Sequence, residues 1–145
     1  MQRTLEMEPR LYLANAFLGL ACVALGKYEA AQDAYARAIG VAGRTPFVLR
    51  AMGALHARLS EREQALRTLD ELRDLSAHRY VRPTYTAAVH AAMGNREAAL
   101  AALQAALAER DTFLPSIRDD PAFDPLRADP RFGALLRQIG PAKPR

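Results

Sequence analysis

The sequence predicts an all-α fold, an α-solenoid of antiparallel helix pairs that ends in a C-terminal capping helix. Two observations carry this prediction. Alanine is abundant while residues that favour strands are sparse, and the aromatic content is only 7%. Blocks of apolar residues at helical spacing also recur along the chain, and the turn positions between them, Gly26, Ser60 and Gly94, keep a constant 34-residue period.

The expected helices span residues 10–25, 28–41, 46–59, 62–76, 80–93 and 96–110. Gly26 and Gly94 each follow a helical run, and glycine takes the left-handed conformation that ends a helix at little cost. A pair of helices of about 14 residues each cannot bury its apolar faces alone, so neighbouring pairs must stack to form the core. We therefore expect one domain over residues 1–145.

Further positions keep the same period, with small residues in some sets and large apolar residues in others. Small side chains where two helices meet allow a close approach, and a larger side chain there costs about 1–3 kcal/mol through overpacking. The sets are Gly19, Gly53 and Ala87; Ala31, Ala65 and Ala99; Tyr35, Leu69 and Leu103; and Ala38, Leu72 and Ala106.

Composition limits the classes of function. The 145 residues include 20 basic and 16 acidic ones, and the basic residues are dispersed, so no nucleic-acid partner is predicted. The single cysteine, Cys22, excludes an internal disulfide and favours a reducing compartment. The uncharged stretch 11–26 lacks a positively charged leader and is shorter than the about 20 residues that span a bilayer, so we expect a cytoplasmic protein without a membrane partner.

This pattern resembles the tetratricopeptide repeat family. The clearest match is LANAFLGLACVALGKYEAAQDAYARAI; the second unit replaces the turn glycine with Ser60, and the third keeps Gly94. The resemblance covers roughly residues 1 to 110 and implies a right-handed superhelix with repeats at 10–43, 44–77 and 78–111. The signature positions matched in the first unit are Leu18, Gly19, Ala21, Gly26, Tyr28, Ala31, Tyr35 and Ala38.

Both ends of the chain are expected to depart from the regular repeats. Pro9 lies one period before Gly43, so residues 1–9 resemble the end of an earlier repeat, as in a fragment of a longer protein; the alternative is an N-terminal cap helix. Residues 112–145 are predicted to be a cap and tail, with a capping helix at 130–139. The segment FDPLRADPRFGALL is similar to the segment that ends repeat arrays in bacterial regulators, which implies a bacterial regulatory module.

One set of residues offers candidate metal ligands. Cys22, His56 and His90 are separated by the same period and occupy equivalent positions on the first helix of each pair. Successive repeat helices pack about 8–10 Å apart, whereas zinc ligands all lie about 2.0–2.3 Å from one ion. We therefore interpret the set as packing residues. Since the sequence also contains no nucleophile motif, paired acids or phosphate-binding loop, neither an enzyme nor a metal or cofactor site is expected.

The resemblance implies a concave groove, lined by the first helices of successive units, that receives a peptide or helix of a partner protein. We therefore expect a non-catalytic protein–protein interaction module, a regulatory or adaptor part of a bacterial signalling system, whose partner presents an apolar surface with an acidic element. The residues carried over to this groove are Leu13, Phe17, Leu20, Phe47, Arg50, Arg58 and Tyr85.

Two alternatives remain open at the N-terminal end. In the first, Leu13, Phe17 and Leu20 are core residues, covered by the N-terminal half-repeat or by the first helix that this half-repeat lacks. In the second alternative the protein has a structural role, in which its incomplete N-terminal repeat edge packs against another copy to form a homodimer.

Overall fold

The computed structural model describes the backbone of residues 2–140 and the side chains of residues 10–140. This part of the chain is all-helical, as predicted, and contains no strand. Two short 3₁₀ helices, Leu114–Arg118 and Pro121–Leu126, precede the last α-helix. The α-helices are α1 Gln2–Ala24, α2 Tyr28–Ala42, α3 Pro46–Arg58, α4 Arg62–Ser76, α5 Pro83–Ala92, α6 Arg96–Ala108 and α7 Pro130–Ile139.

Consecutive helices pack in adjacent pairs: α1 with α2, α3 with α4, and α5 with α6. The three corners share one backbone conformation, because Gly26, Ser60 and Gly94 all have a left-handed φ, of +75°, +61° and +79°. In each corner the next residue donates its amide to the carbonyl five positions earlier, which ends the helix in a Schellman motif. These bonds join Lys27 to Cys22 at 2.8 Å, Glu61 to His56 at 2.8 Å and Asn95 to His90 at 2.9 Å.

Close contacts explain the small residues that the repeat period aligns. A Cβ atom on Gly19 would overlap the ring of Tyr35, which packs there from α2. A Cβ atom on Gly53 would lie 2.9 Å from a methyl group of Val89 on α5. Tyr35 and Val89 are fully buried, so neither can move aside. The first contact fixes a helix pair, and the second fixes the stacking of α5 on α3.

The C-terminal segment keeps the period of the preceding pairs. Helices α2, α4, α6 and α7 begin one period apart, and the two 3₁₀ helices lie where the first helix of a fourth pair would be. Prolines at 115, 121 and 125 interrupt that segment, since proline lacks an amide donor and disfavours the α conformation in the residue before it. Phe123 and Phe132 stack with centroids 6.3 Å apart and bury this end of the core. The predicted helix 130–139 is confirmed.

Two helix starts differ from the prediction, whereas the ends of the six predicted helices agree within two residues. Helix α1 runs continuously from Gln2 to Ala24 and so passes through Pro9, where a helix end was predicted. A proline removes one backbone hydrogen bond but does not by itself end a helix, so the match to a repeat ending misled the prediction. Helix α5 begins at Pro83 rather than residue 80, because Arg82, which precedes the proline, is extended with ψ of 129°.

Candidate binding groove

A groove of about 500 Å³ lies between α1, α3 and the C-terminal segment. Leu20 and Ala24 of α1 form one wall, and Ala54 of α3 lies in its floor. The opposite wall comes from the connection between the two 3₁₀ helices and from the start of the second one, including Pro121 and Ala122. The alanine side chains leave space that larger residues would fill, and the surface they create is apolar. The groove therefore suits an apolar ligand surface.

A row of four aromatic rings crosses the same side of the molecule. Phe17 of α1 lies 5.8 Å from Phe47 of α3, which lies 6.1 Å from Tyr85 of α5, and Tyr85 lies 5.5 Å from Phe113. Centroid separations in this range are those of attractive edge-to-face pairs. The row is buried at Tyr85 and exposed at its ends, where Phe17 is 57% and Phe113 37% exposed. A second cavity of about 180 Å³ lies along the row and shares Leu20 with the larger groove.

An ion pair joins the floor of the groove to its far wall. Arg50 of α3 donates a hydrogen bond from Nη2 to Oδ2 of Asp120, and both side chains are largely buried. The other carboxylate oxygen of Asp120 accepts the amide of Ala122 at 2.9 Å, which caps the second 3₁₀ helix. Arg127 donates to the backbone carbonyl of Asp120 at 2.9 Å. Asp120 therefore neutralises Arg50 and holds the C-terminal segment against α3.

Two further charged side chains lie at the groove, one on each side. Arg58 lies at the end of α3, and Asp119 lies on the opposite wall. Neither has an ion-pair partner within residues 10–140, and both are exposed. The hydrogen-bonding groups of these two side chains are therefore available to an incoming molecule.

Tyr35 contributes a buried hydroxyl beside the groove. Its Oη has no hydrogen-bond partner in the described part of the chain, although the side chain is only 1% exposed. Burial raises the pKa of Tyr35 to about 12, an effect that nearby Arg50 partly opposes. A buried hydroxyl without a partner costs about 1–3 kcal/mol.

Six of the seven groove residues predicted from the sequence line the two cavities. Leu13 is the exception: it lies on α1 outside both cavities and is 45% exposed. Leu13 and Phe17 are thus surface residues in this structure and not part of the core. The six are Phe17, Leu20, Phe47, Arg50, Arg58 and Tyr85.

Sequence reasoning missed the far wall of the groove, including Phe113, Asp120 and Pro121. The signal that would have found it is the repeat period itself. Residues 114–126 fall one period after the start of the third pair and therefore had to lie beside its first helix. The prolines and helix-capping aspartates of the tail concealed this register.

The candidate metal ligands do not come together. Cys22 is buried against the core of the first pair, and His56 Nδ1 lies 3.2 Å from a carboxylate oxygen of Glu61. His90 lines neither cavity of the groove; it lines a third cavity, together with Leu66 of α4. No group of three or more potential ligands meets within the described residues.

The helices of residues 2–140 include none with the length and hydropathy of a membrane-spanning segment.

Comparison with known proteins gives no match: no family model, no curated protein and no solved structure is significantly similar to this chain. The structure thus defines an all-helical protein whose consecutive helices pack in pairs, with an apolar groove between α1, α3 and the C-terminal segment.

Proposed function

We propose that this protein is a non-catalytic protein–protein interaction module that binds a peptide or helix of a partner in the groove between α1, α3 and the C-terminal segment. The proposal includes the finer fold assignment, an α-solenoid of tetratricopeptide-like pairs. The observation that carries it is the apolar groove of about 500 Å³, flanked by a partly exposed row of aromatic rings. Exposed aromatic side chains beside an apolar depression are typical of binding surfaces.

The chemistry of the walls indicates what the partner presents. The floor and one wall are apolar, so the bound segment contributes aliphatic or aromatic side chains. Because Asp120 already binds Arg50, an acidic side chain of the partner pairs with Arg58, which has no ion-pair partner in residues 10–140. Asp119 on the opposite wall pairs with a basic side chain or an N–H donor. The expected ligand is an amphipathic segment with charges of opposite sign on its two edges.

The biological setting rests on the sequence alone. The resemblance of FDPLRADPRFGALL to the ends of repeat arrays in bacterial regulators supports a regulatory or adaptor role in a bacterial signalling system. The single cysteine supports a cytoplasmic location.

Selection from a random peptide library against the immobilised protein tests the proposal without knowledge of the partner. Dissociation constants of the selected peptides are then measured by isothermal titration calorimetry for the wild type and for two groove variants. Ala54→Glu places a charge in the apolar floor, and Phe17→Ala removes an exposed ring. Either change is expected to weaken binding about tenfold or more.

Leu66→Ala is the matched control, because Leu66 is an exposed apolar residue of α4 that lines neither cavity of the groove. The control variant is expected to bind the selected peptides as the wild type does. Peptides that bind the two groove variants as tightly as the wild type would contradict the proposed site.

A further inference from the structure

Helix α1 has a second apolar face, next to the one that lines the groove. From Leu11 to Leu25 the chain contains no charged residue, yet Leu11, Leu18 and Leu25 are 53%, 47% and 71% exposed. Ala14 and Ala21 are exposed between them. A helix at the surface of a soluble protein normally presents polar side chains to water, and a contiguous apolar row marks a contact surface. These five residues are called the outer face of α1 below.

The equivalent faces of the later pairs are all covered. One period after the outer face of α1, α3 uses Val48 and Leu55 to pack on α2; their exposures are 0% and 2%. One period further on, Val89 of α5 is fully buried and contacts the cluster formed by Leu49 and Leu72. The outer face of α1 thus occupies the position that receives a neighbouring helix elsewhere in this chain. No segment of residues 10–140 covers it.

The other end of the molecule does not fit this face. Apart from Pro130 at its start, the exposed side chains of α7 are polar, namely Arg131, Arg137 and Gln138, while Phe132 and Leu135 are buried in the core. A head-to-tail contact between two copies would therefore place apolar leucines against arginines. A two-fold contact, in which the same face is used twice, avoids that mismatch.

The outer face also complements itself. Its residues follow a heptad pattern, with leucine at 11, 18 and 25 and alanine at 14 and 21. When two α1 helices pack antiparallel about an axis between residues 18 and 21, Leu18 and Leu25 each meet an alanine of the other copy, whereas Leu11 lies beyond the end of the second α1. Leu18 then lies against Ala21 of the second copy, and Leu25 against its Ala14. Large side chains opposite small ones allow the axes to approach to about 8 Å.

We propose that a second copy of this chain covers the outer face, through an antiparallel α1–α1 contact on a two-fold axis. The contact involves essentially one helix of each copy and therefore lies at the low end of the size range of specific interfaces. A dimer that dissociates at micromolar concentrations is the expected result. Leu11, Leu18 and Leu25 line neither cavity of the groove, whereas Ala21 lies at the edge of the larger one. The proposed contact therefore adjoins the peptide-binding groove but rests on a different observation, the exposed leucines of α1.

Size-exclusion chromatography with multi-angle light scattering, over a series of concentrations, tests the proposal. The wild type is expected to reach twice the mass of one chain at high concentration. Leu18→Glu places two carboxylates at the axis and is expected to remain monomeric throughout, with an unchanged circular dichroism spectrum. Leu66→Glu, a charge at an exposed leucine of α4, is the control and keeps the dimer. A wild type that stays monomeric, or a Leu18→Glu variant that still dimerises, would overturn the proposal.

Disulfide cross-linking tests the orientation of the two helices. In a Cys22→Ala background, chains with Leu18→Cys are mixed with chains carrying Ala21→Cys. The antiparallel contact brings these two positions within disulfide reach, so the mixture is expected to cross-link faster than either variant alone. Faster linkage of Leu18→Cys chains to each other would indicate a parallel contact and would overturn the antiparallel arrangement.

Discussion

Arg50 and Asp120 are 70 residues apart in sequence and form an ion pair across the candidate groove. One comes from the middle of α3 and the other from the connection between the two 3₁₀ helices. The pair holds the C-terminal segment in the position that makes it a wall of the groove. Stability and the shape of the binding surface therefore depend on the same contact.

Asp120→Ala is expected to lower the free energy of unfolding by about 2 kcal/mol, because it removes a helix cap and leaves Arg50 without its partner. Urea unfolding followed by circular dichroism measures the change. Asp70→Ala is the control, since Asp70 pairs with Arg73 at the surface and its loss is expected to cost under about 0.5 kcal/mol. Equal losses for the two variants would show that the Arg50 pair does not stabilise the tail.

Glycine to alanine changes at two helical positions are expected to have opposite signs. Gly19→Ala brings a methyl group into the buried ring of Tyr35 and should destabilise the protein by about 1–3 kcal/mol. Gly40→Ala adds a methyl group in open space on α2 and should stabilise it by about 0.5–1 kcal/mol, since alanine is the better helix former. Thermal unfolding distinguishes them. A neutral or stabilising Gly19→Ala would mean that α1 and α2 pack less closely than this structure has them.

The local repeat pattern predicted the helix pairs and their corners, because each corner depends on a few residues in sequence. The starts of α2, α3, α4 and α6 match the expected residues 28, 46, 62 and 96. The aromatic and arginine residues that line the groove were also named in advance, because the resemblance to the tetratricopeptide repeat family implies a groove lined by the first helices. The structure shows that these residues line the same two cavities. Their role in binding stays a prediction.

The far wall of the groove depends on information that a local pattern lacks. The local sequence predicts that Asp120, which precedes Pro121, caps a helix, and it does cap the second 3₁₀ helix. Its ion pair with Arg50 arises only when the third pair is stacked and the tail folds back beside α5. The course of α1 through Pro9 was likewise hidden, because the proline suggested a boundary that the backbone does not have.

Ser60→Gly is expected to stabilise the protein by about 1 kcal/mol. Ser60 has a φ of +61°, a left-handed conformation that costs a residue with a Cβ atom about 1–2 kcal/mol, whereas the equivalent Gly26 and Gly94 adopt it freely. Chemical denaturation gives the difference. Ser76→Gly is the control: Ser76 lies in the last turn of α4 with its hydroxyl bonded to the carbonyl of Arg73, so glycine there should destabilise. A Ser60→Gly protein less stable than the wild type would contradict the shared corner conformation.

His90 is expected to make stability fall in mildly acidic solution. Burial lowers the pKa of His90 below its ordinary 6.5, and the Asp70 and Arg73 side chains that line the same cavity pair with each other. The unfolded chain then binds the proton more readily, so this contribution is complete above pH 6.5 and is lost as the pH falls toward the lowered pKa. The free energy of unfolding is measured by urea titration between pH 7.5 and about 5. It should decline less for His90→Gln than for the wild type. His78→Gln is the control, since His78 lies in an exposed loop, and this variant should follow the wild type. Parallel pH curves for His90→Gln and the wild type would show that His90 takes up its proton equally well in the folded protein.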